Sequence, residues 1–284
     1  MLTVLESINL ATEYLNKKGI ESARTNAELF LADIIGCKRL ELYLSFDRPL
    51  TDDELQRYRE LLKRRGMFEP LQYILGKTEF YGIELILTPD VLIPRPETEL
   101  LVEEILNQLS KKNEQIILDI GCGSGNISIA LAMNSEKIKI IATDINENSL
   151  RVAIKNSERN SVTSKIKFIY HDILKDELTI LPMFDFVVSN PPYVSIENYL
   201  TLQKEITEFE PRIAVTDEAD GYTFYRSICQ KISKIIKPKG KLFFEIAEGQ
   251  TEIVSKIMEQ NNFFNIVVKK DYQNIDRIIY GERK

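Results

Sequence analysis

The sequence predicts an α/β fold with an open, mostly parallel β-sheet, preceded by a small all-helical domain and a β-hairpin connector. Three observations lead to this fold class. After Glu97, short β-rich runs alternate with segments of helical length, which is typical of parallel strands joined by crossover helices. The first 76 residues instead carry apolar positions at helical spacing. The last two β-rich runs, residues 264–268 and 277–280, are too close for a crossover helix and should pair antiparallel.

The N-terminal domain, residues 1–76, is predicted to contain three amphipathic helices. Gly19 and Gly36 follow the first two helices and mark their ends. A capping-box pattern from Thr51 to Glu54 begins the third. The apolar positions that define these helices are Val4, Ile8, Ala11, Leu15, Ala27, Phe30, Leu31, Ile34, Leu55, Tyr58, Leu61 and Leu62.

The connector, residues 77–93, and the C-terminal domain, residues 94–284, are predicted to hold the strands. In the connector, two short β-prone pieces flank Gly82 and stop at Pro89, as in a hairpin. In the C-terminal domain, the runs expected to form parallel strands are residues 116–120, 138–143, 167–170, 184–188 and 241–245.

Composition and charge narrow the class of protein. Hydrophobic residues make up 44% of the chain and charged residues 28%, and no apolar run approaches the ~18 residues of a membrane span, so we expect a soluble protein. The first residues lack a basic flank and a continuous apolar stretch, so we expect no secretory signal. The three cysteines, Cys37, Cys122 and Cys229, are scattered, which predicts neither a metal site nor disulfides and fits the cytoplasm. A net charge of −6 argues against a protein whose main function is to bind the phosphates of nucleic acid.

Polar segments follow three of the predicted parallel strands, at the sheet edge where doubly wound folds bind nucleotides. The first strand runs into a loop of alternating glycines, Gly121-Cys122-Gly123-Ser124-Gly125, whose backbone can turn sharply and approach a ligand. Its GxGxG spacing differs from that of dinucleotide enzymes and of phosphate loops, so the ligand need not carry phosphate. Asp144 can accept hydrogen bonds from both hydroxyls of a ribose, and Asp172 with Ile173 suits an adenine ring. Taken singly, each carboxylate is better explained as a helix N-cap; three such sites together favour a ligand.

The segment Asn190-Pro191-Pro192-Tyr193 directly follows the fourth predicted strand. Two prolines fix φ and push the preceding residue toward extended geometry, so Asn190 should be held rigidly with its amide presented outward. An Asn-Pro pair also commonly just ends a strand, and for this segment alone that interpretation is equally good.

With Asp119 and Asp144, the glycine loop resembles the cofactor site of class I S-adenosylmethionine-dependent methyltransferases. The resemblance implies a Rossmann-like, seven-stranded, mostly parallel sheet with an antiparallel last strand, and S-adenosyl-L-methionine as the cofactor. It further implies that Asp144 holds the ribose hydroxyls and that Asp172 and Ile173 border the adenine. The implied cofactor-binding residues are Gly121, Cys122, Gly123, Ser124, Gly125, Asp144, Asp172, Ile173 and Asn190.

In that family context, Asn190 to Tyr193 is similar to the signature of methyl transfer to a planar nitrogen, either a base amine or a side-chain amide. Such a nitrogen is a poor nucleophile, so positioning is the main catalytic contribution. The Asn190 and Pro191 carbonyls can accept hydrogen bonds from the two N–H groups of the acceptor, and Tyr193 can pack on its flat face. Asn190, Pro191 and Tyr193 are thus the candidate catalytic residues, and these with Pro192 form the candidate substrate site. His171, the only histidine, is interpreted as structural or exposed.

Motifs along nearly the whole chain resemble the bacterial peptide chain release factor glutamine methyltransferases, the HemK/PrmC family. They are residues 70–76, 80–82, 91–102, 208–212, 220–221, 224–226, 245, 248–250 and 275–277. The resemblance implies N5-methylation of the glutamine in the Gly-Gly-Gln motif of class I release factors. It also implies that residues 1–76 bind this partner and that residues 94–284 catalyse the transfer. We expect a monomer that contacts neither nucleic acid nor membrane directly.

Other functions remain open from the sequence. A ribosomal-protein glutamine methyltransferase would use the same chemistry. An adenine-N6 DNA methyltransferase would have to flip its target base, and no basic recognition insert supports this. A catalytically silent cofactor-binding scaffold conflicts with the intact Asn190 segment, and residues 94–99 are also explained as a linker that starts a helix. The chain departs from the family pattern between Asp172 and Asn190, a long segment rich in lysine and acid, and at residues 216–219.

Overall fold

The computed structural model describes residues 2–110, 112–178 and 182–284. The chain divides into two compact units, Met1–Lys77 and Thr78–Lys284. Each unit is built around its own buried apolar residues. Among the described residues, no helix is long and apolar enough to cross a membrane.

The first unit is helical, as the apolar spacing predicts. Its helices are α1 (Val4–Lys17), α2 (Ala23–Ile35), α3 (Asp52–Arg65) and α4 (Leu71–Leu75), with a 3-10 helix over Arg39–Leu44. The capping box expected at the start of α3 is present, because the Thr51 side chain accepts from the Glu54 N–H at 3.3 Å and Glu54 accepts from the Thr51 N–H at 2.8 Å. Gly36 ends α2 with a φ of 78°, the left-handed conformation that favours glycine.

Two short strands form a separate hairpin. They are β1 (Lys77–Phe80) and β2 (Ile83–Ile86), which pair with each other in a two-stranded sheet. Tyr81 and Gly82 between them have φ values of 51° and 72°. Positive φ at both positions is what a tight two-residue hairpin turn requires.

The second unit contains a seven-stranded sheet. Its strands are β3 (Gln115–Ile120), β4 (Ile138–Asp144), β5 (Ile166–Tyr170), β6 (Phe184–Ser189), β7 (Ile236–Glu245), β8 (Phe263–Lys270) and β9 (Asp276–Arg283). They lie in the order β5-β4-β3-β6-β7-β9-β8, and β3 to β7 pair in parallel. Strand β9 is antiparallel to both β7 and β8. The predicted fold class, including the antiparallel last strand, is therefore confirmed.

Helices cover both faces of this sheet. They are α5 (Glu97–Gln108), α6 (Asn126–Asn134), α7 (Glu147–Arg159), α8 (Ile196–Tyr199), α9 (Lys204–Phe209), α10 (Arg212–Val215), α11 (Thr223–Ile232) and α12 (Thr251–Gln260), with a 3-10 helix over Thr163–Lys165. Neighbouring strand residues point to opposite faces. Ile117 accordingly packs in the cluster with α5, α6 and α7, whereas Leu118 packs in the cluster with α11 and α12.

Strand β7 starts earlier than the sequence predicts, at Ile236 rather than at residue 241. The pairing of β6 with β7 shifts register between Phe184 and Phe186, and Lys239 has a φ of 64°. This irregularity contains Pro238 and Gly240, which are unfavourable in regular strands, so the sequence pattern does not reveal it.

Candidate active site

A cavity of about 600 Å³ opens at the carboxyl ends of β3, β4, β5 and β6. Its walls come entirely from the second unit. The sheet order reverses here, since the chain moves outward from β3 to β4 and β5 and then returns to place β6 on the other side of β3. Such a switch point is where open α/β sheets bind ligands.

The glycine loop forms one wall of the cavity, but only part of it faces the open space. Gly121 and Gly123 line the cavity with φ values of 74° and 53°, and a Cβ added at either would have no heavy atom within 4 Å. Cys122 and Ser124 are buried and do not line it. Gly125 adopts a φ of 81° at the start of α6 and is closely packed. The loop thus presents two bare Cα positions to a ligand.

Asp144 stands at the end of β4 and braces the glycine loop. Its Oδ2 accepts the Gly123 N–H at 2.8 Å, and its Oδ1 accepts the Asn146 N–H at 2.9 Å. Burial raises the pKa of Asp144, and these backbone N–H groups oppose that shift. Each carboxylate oxygen can accept a second hydrogen bond, so the residue can hold two hydroxyl donors while keeping its backbone bonds.

Asp119 lies at the end of β3 beside the glycine loop and is fully buried. Its Oδ2 accepts from the Ser128 hydroxyl at 2.6 Å, whereas its Oδ1 has no hydrogen-bond partner in the described part of the chain. Burial raises the pKa of Asp119 to about 7. A buried oxygen without a partner is energetically costly, and Asp119 itself does not line the cavity.

Residues that follow β5 also line the cavity. Asp172 and Ile173 both reach it, and Asp172 Oδ1 accepts the Leu174 N–H at 2.9 Å. His171 also lines it, and both of its ring nitrogens are buried. Burial lowers the pKa of His171, which favours a neutral imidazole with one donor and one acceptor. In the long segment before Asn190, residues 179–181 lie outside the described residues.

The segment after β6 carries Asn190 into the same cavity. Asn190, Pro191 and Pro192 line it, and the Ser189 hydroxyl donates to the Ile120 carbonyl at 2.7 Å, which ties this strand end to the glycine loop. The sequence-predicted cofactor and acceptor residues Gly121, Gly123, Asp144, Asp172, Ile173 and Asn190 to Pro192 are therefore brought together. Cys122, Ser124, Gly125 and Tyr193 lie outside the cavity lining.

Asn190 is also held by a hydrogen-bond network of residues that do not line the cavity. Asn190 Nδ2 donates to the Thr98 hydroxyl at 3.2 Å, and that hydroxyl donates to Glu245 Oε2 at 2.6 Å. The Tyr193 hydroxyl donates to Glu245 Oε1 at 3.3 Å. The Asn190 amide therefore keeps its oxygen available for another donor.

Sequence reasoning missed the walls that loops and short helices contribute. Asp90 to Leu92 line the cavity from the connector, and Arg212 to Ala214 line it from α10. The Arg95 guanidinium pairs with Glu210 at 2.5 Å, and Glu210 also accepts the Ile93 N–H at 3.3 Å. Val91, Leu92 and Arg212 belong to the family motifs, which were the available signal for these two segments. The motifs do not show that the segments meet.

Two family models match the chain. The PrmC N-terminal domain matches residues 6–76, and the Methyltransferase small domain matches residues 96–208. Together they fall on the helical unit and on the strands that carry the glycine loop and Asn190.

Curated relatives are similar along nearly the whole chain. The release factor glutamine methyltransferase of Fusobacterium nucleatum subsp. nucleatum is 37% identical over 280 residues, which span 98% of this chain and 78% of the relative. That of Geobacter sulfurreducens is 36% identical over 280 residues, which span 98% of this chain and 96% of the relative. That of Bacillus subtilis is 34% identical over 284 residues, which span 98% of this chain and 97% of the relative.

Two solved structures share the fold. A ribosomal protein L11 methylase from Lactobacillus delbrueckii subsp. bulgaricus superposes with a TM-score of 0.50 at 18% identity, covering 70% of this chain and 84% of that one. A methyltransferase from Pyrococcus furiosus superposes with a TM-score of 0.52 at 15% identity, covering 72% of this chain and 90% of that one.

Proposed function

The chain belongs to the family of release factor glutamine methyltransferases, and from this premise we propose that it methylates N5 of the glutamine in the Gly-Gly-Gln motif of class I peptide chain release factors. The family inferred from the motifs is thereby confirmed. One observation carries the proposal: Asn190, Gly123 and Asp144 line a single cavity, so a planar amide held by Asn190 lies in the same space as a cofactor held by the loop.

The residues present fit S-adenosyl-L-methionine. Gly121 and Gly123 leave open space where side chains would stand, and Asp144 has free lone pairs on the cavity wall. His171 and Asp172 also lie on the cavity wall. When bound, this cofactor supplies an electrophilic methyl group on a sulfonium sulfur.

The chain's own contribution is to hold the acceptor. The Asn190 and Pro191 carbonyl oxygens accept the two N–H groups of the glutamine amide, which fixes the plane of a nitrogen that is otherwise a weak nucleophile. An amide nitrogen becomes strongly acidic once alkylated, so the proton can leave without a strong base. Tyr193 holds the segment by its bond to Glu245, while its predicted packing on the acceptor remains a prediction.

The partner and cellular setting complete the proposal. The helical unit binds the release factor, and the second unit carries out the transfer. The protein acts in the cytoplasm as a monomer without direct contact to nucleic acid.

The test is a transfer assay with labelled S-adenosyl-L-methionine and a purified class I release factor. We expect label on the Gly-Gly-Gln peptide by mass spectrometry, and a loss of kcat on the order of 100-fold in Asn190→Ala, since an orienting acceptor is removed. The exposed Asn198→Ala is the matched control. An unlabelled release factor beside a labelled ribosomal protein would refute the proposed substrate, as would label that persists when the motif glutamine is replaced.

A further inference from the structure

Glu245 is a buried carboxyl group at the end of β7 that does not line the cavity. Its side chain bonds to two hydroxyl groups, those of Thr98 at 2.6 Å and Tyr193 at 3.3 Å. Among the described residues it forms no ion pair, because the nearby Arg277 pairs with Asp271 at 2.9 Å. Burying an acid in this way is unfavourable, so a purely structural role explains it poorly.

The hydrogen-bond count along this network fixes an orientation. A threonine hydroxyl has one proton, and Thr98 gives that proton to the Glu245 carboxylate. Only a lone pair of Thr98 then faces Asn190, so Asn190 must present Nδ2 to it at 3.2 Å. The opposite pole of the amide, Oδ1, is the one left for the acceptor in the cavity.

Protonation of Glu245 removes this constraint. A neutral carboxyl group can donate its own proton to Thr98, and Thr98 can then donate to Asn190 Oδ1. The Asn190 amide would turn over and present N–H groups to the glutamine N–H groups, which repel them. The orientation that binds the acceptor therefore depends on the ionised carboxylate.

We propose that Glu245 is a positioning residue that, through Thr98, determines which end of the Asn190 amide faces the substrate glutamine. This inference rests on the proposed function and adds a residue that acts without touching the substrate. It also predicts a pH dependence, since the transfer requires the ionised form of Glu245.

The groups around Glu245 set where it titrates. Burial raises the pKa of Glu245 to about 7, against the lowering effect of the Thr98 and Tyr193 hydroxyls. From α5, Glu97 raises the pKa, and from β9, Arg277 lowers it. The Tyr225 hydroxyl of α11 bonds to the Glu245 backbone carbonyl at 2.8 Å. Burial also raises the pKa of Tyr193, so it stays a neutral donor.

The experiment compares Thr98→Val, Thr98→Ser and Glu245→Gln with a matched control. The control is Thr251→Val, which removes a 2.7 Å threonine–carboxylate bond to Asp276 away from the cavity. We expect Thr98→Val to lower kcat on the order of 10-fold, with the release factor KM and the cofactor Kd changed by less than about twofold. Thr98→Ser should recover most of kcat, and Thr251→Val should match wild type.

The dependence of kcat on pH distinguishes a positioning role of Glu245 from a purely structural one, because a structural role would not change this dependence. In wild type, kcat at saturating substrates should fall as pH drops below about 7, and Glu245→Gln should abolish this limb. Burial also raises the pKa of Asp119 to about 7, but its hydrogen bond is to Ser128 and not to this network, so we expect the limb to come from Glu245 alone. A retained limb in Glu245→Gln, full kcat in Thr98→Val, or a Thr98→Ser variant as impaired as Thr98→Val would overturn the inference.

Failure of the proposed function would be visible separately, as absence of transfer by the wild-type protein. In that case the Asn190 side-chain amide resonances still test the network. They should shift as pH crosses about 7 in wild type and stay constant in Glu245→Gln. Unchanged wild-type resonances would refute the coupling without any activity measurement.

Discussion

The glycine loop allows a matched pair of substitutions that separates cofactor binding from stability. Gly123 and Gly125 both have positive φ, at 53° and 81°. A Cβ on Gly123 would enter open space on the cavity wall. A Cβ on Gly125 would lie 3.1 Å from both Ala153 Cβ and Ile129 Cδ1. The same change, glycine to alanine, thus meets open space at one position and a packed interface at the other.

The magnitudes follow from these contacts. The left-handed backbone conformation destabilises an alanine by roughly 1–2 kcal/mol relative to glycine, and this cost applies to both variants. Gly125→Ala adds an overpacking cost of about 1–3 kcal/mol, because its two neighbours are themselves held by packing. For a unit of this size, each kcal/mol lowers the unfolding midpoint by about 2–4 °C. Gly123→Ala should instead weaken cofactor binding by about tenfold, equivalent to ~1.4 kcal/mol, because its methyl group occupies ligand space.

The assay combines urea unfolding with calorimetric titration of S-adenosyl-L-methionine at a temperature where both variants are folded. We expect the two rankings to be opposite, with Gly125→Ala less stable and Gly123→Ala weaker in binding. Wild-type cofactor affinity in folded Gly123→Ala would refute the assignment of this loop as the cofactor wall.

Two further predictions concern buried polar groups. Asn156 of α7 accepts the Ile86 N–H at 2.7 Å and donates to the Ile86 and Ser124 carbonyls at 3.0 Å, so Asn156→Ala should destabilise the second unit by on the order of 3 kcal/mol and speed hydrogen exchange at Ile86. The exposed Asn134→Ala is the control, and unaltered exchange would contradict the role of Asn156 in fixing β2. Asp119 should make stability fall as pH rises from about 4 to about 7, because the folded state keeps a proton that the unfolded state has lost. Urea unfolding across this range should show a shallower decline in Asp119→Asn, because Glu245 and Asp144, whose pKa values are also raised, supply the rest. An unchanged slope would mean that folded Asp119 is already ionised.

The fold class and most of the strands could be predicted because their determinants are local, whereas the strand order and the short helices α4 and α8 to α10 were not predicted. Helical spacing, the capping box at Thr51 and the short gap before the last strand each act over a few residues. The start of β7 was missed for the opposite reason. Its first residues pair with β6 despite the poor strand propensity of Pro238 and Gly240, so tertiary contacts override the local preference.

The candidate site could be predicted only where a residue's position follows from a strand end. Asp144 and Asn190 lie at the sheet edge for that reason, as expected. Thr98 could not be assigned a role, because it meets Asn190 across 92 residues and Glu245 across 147 residues of sequence. Likewise, the glycine pattern identifies the loop but does not show that Cys122 and Ser124 turn away from the cavity.

The position of β9 has a consequence for how the protein is made. This strand follows β8 in the chain, yet it lies between β7 and β8 in the sheet. During synthesis, the edge of β7 that pairs with β9 therefore stays unpaired until β9 has been made. That edge includes Phe243 and Phe244. A polypeptide that stops before Asp276 would keep this apolar edge exposed and be prone to edge-to-edge aggregation.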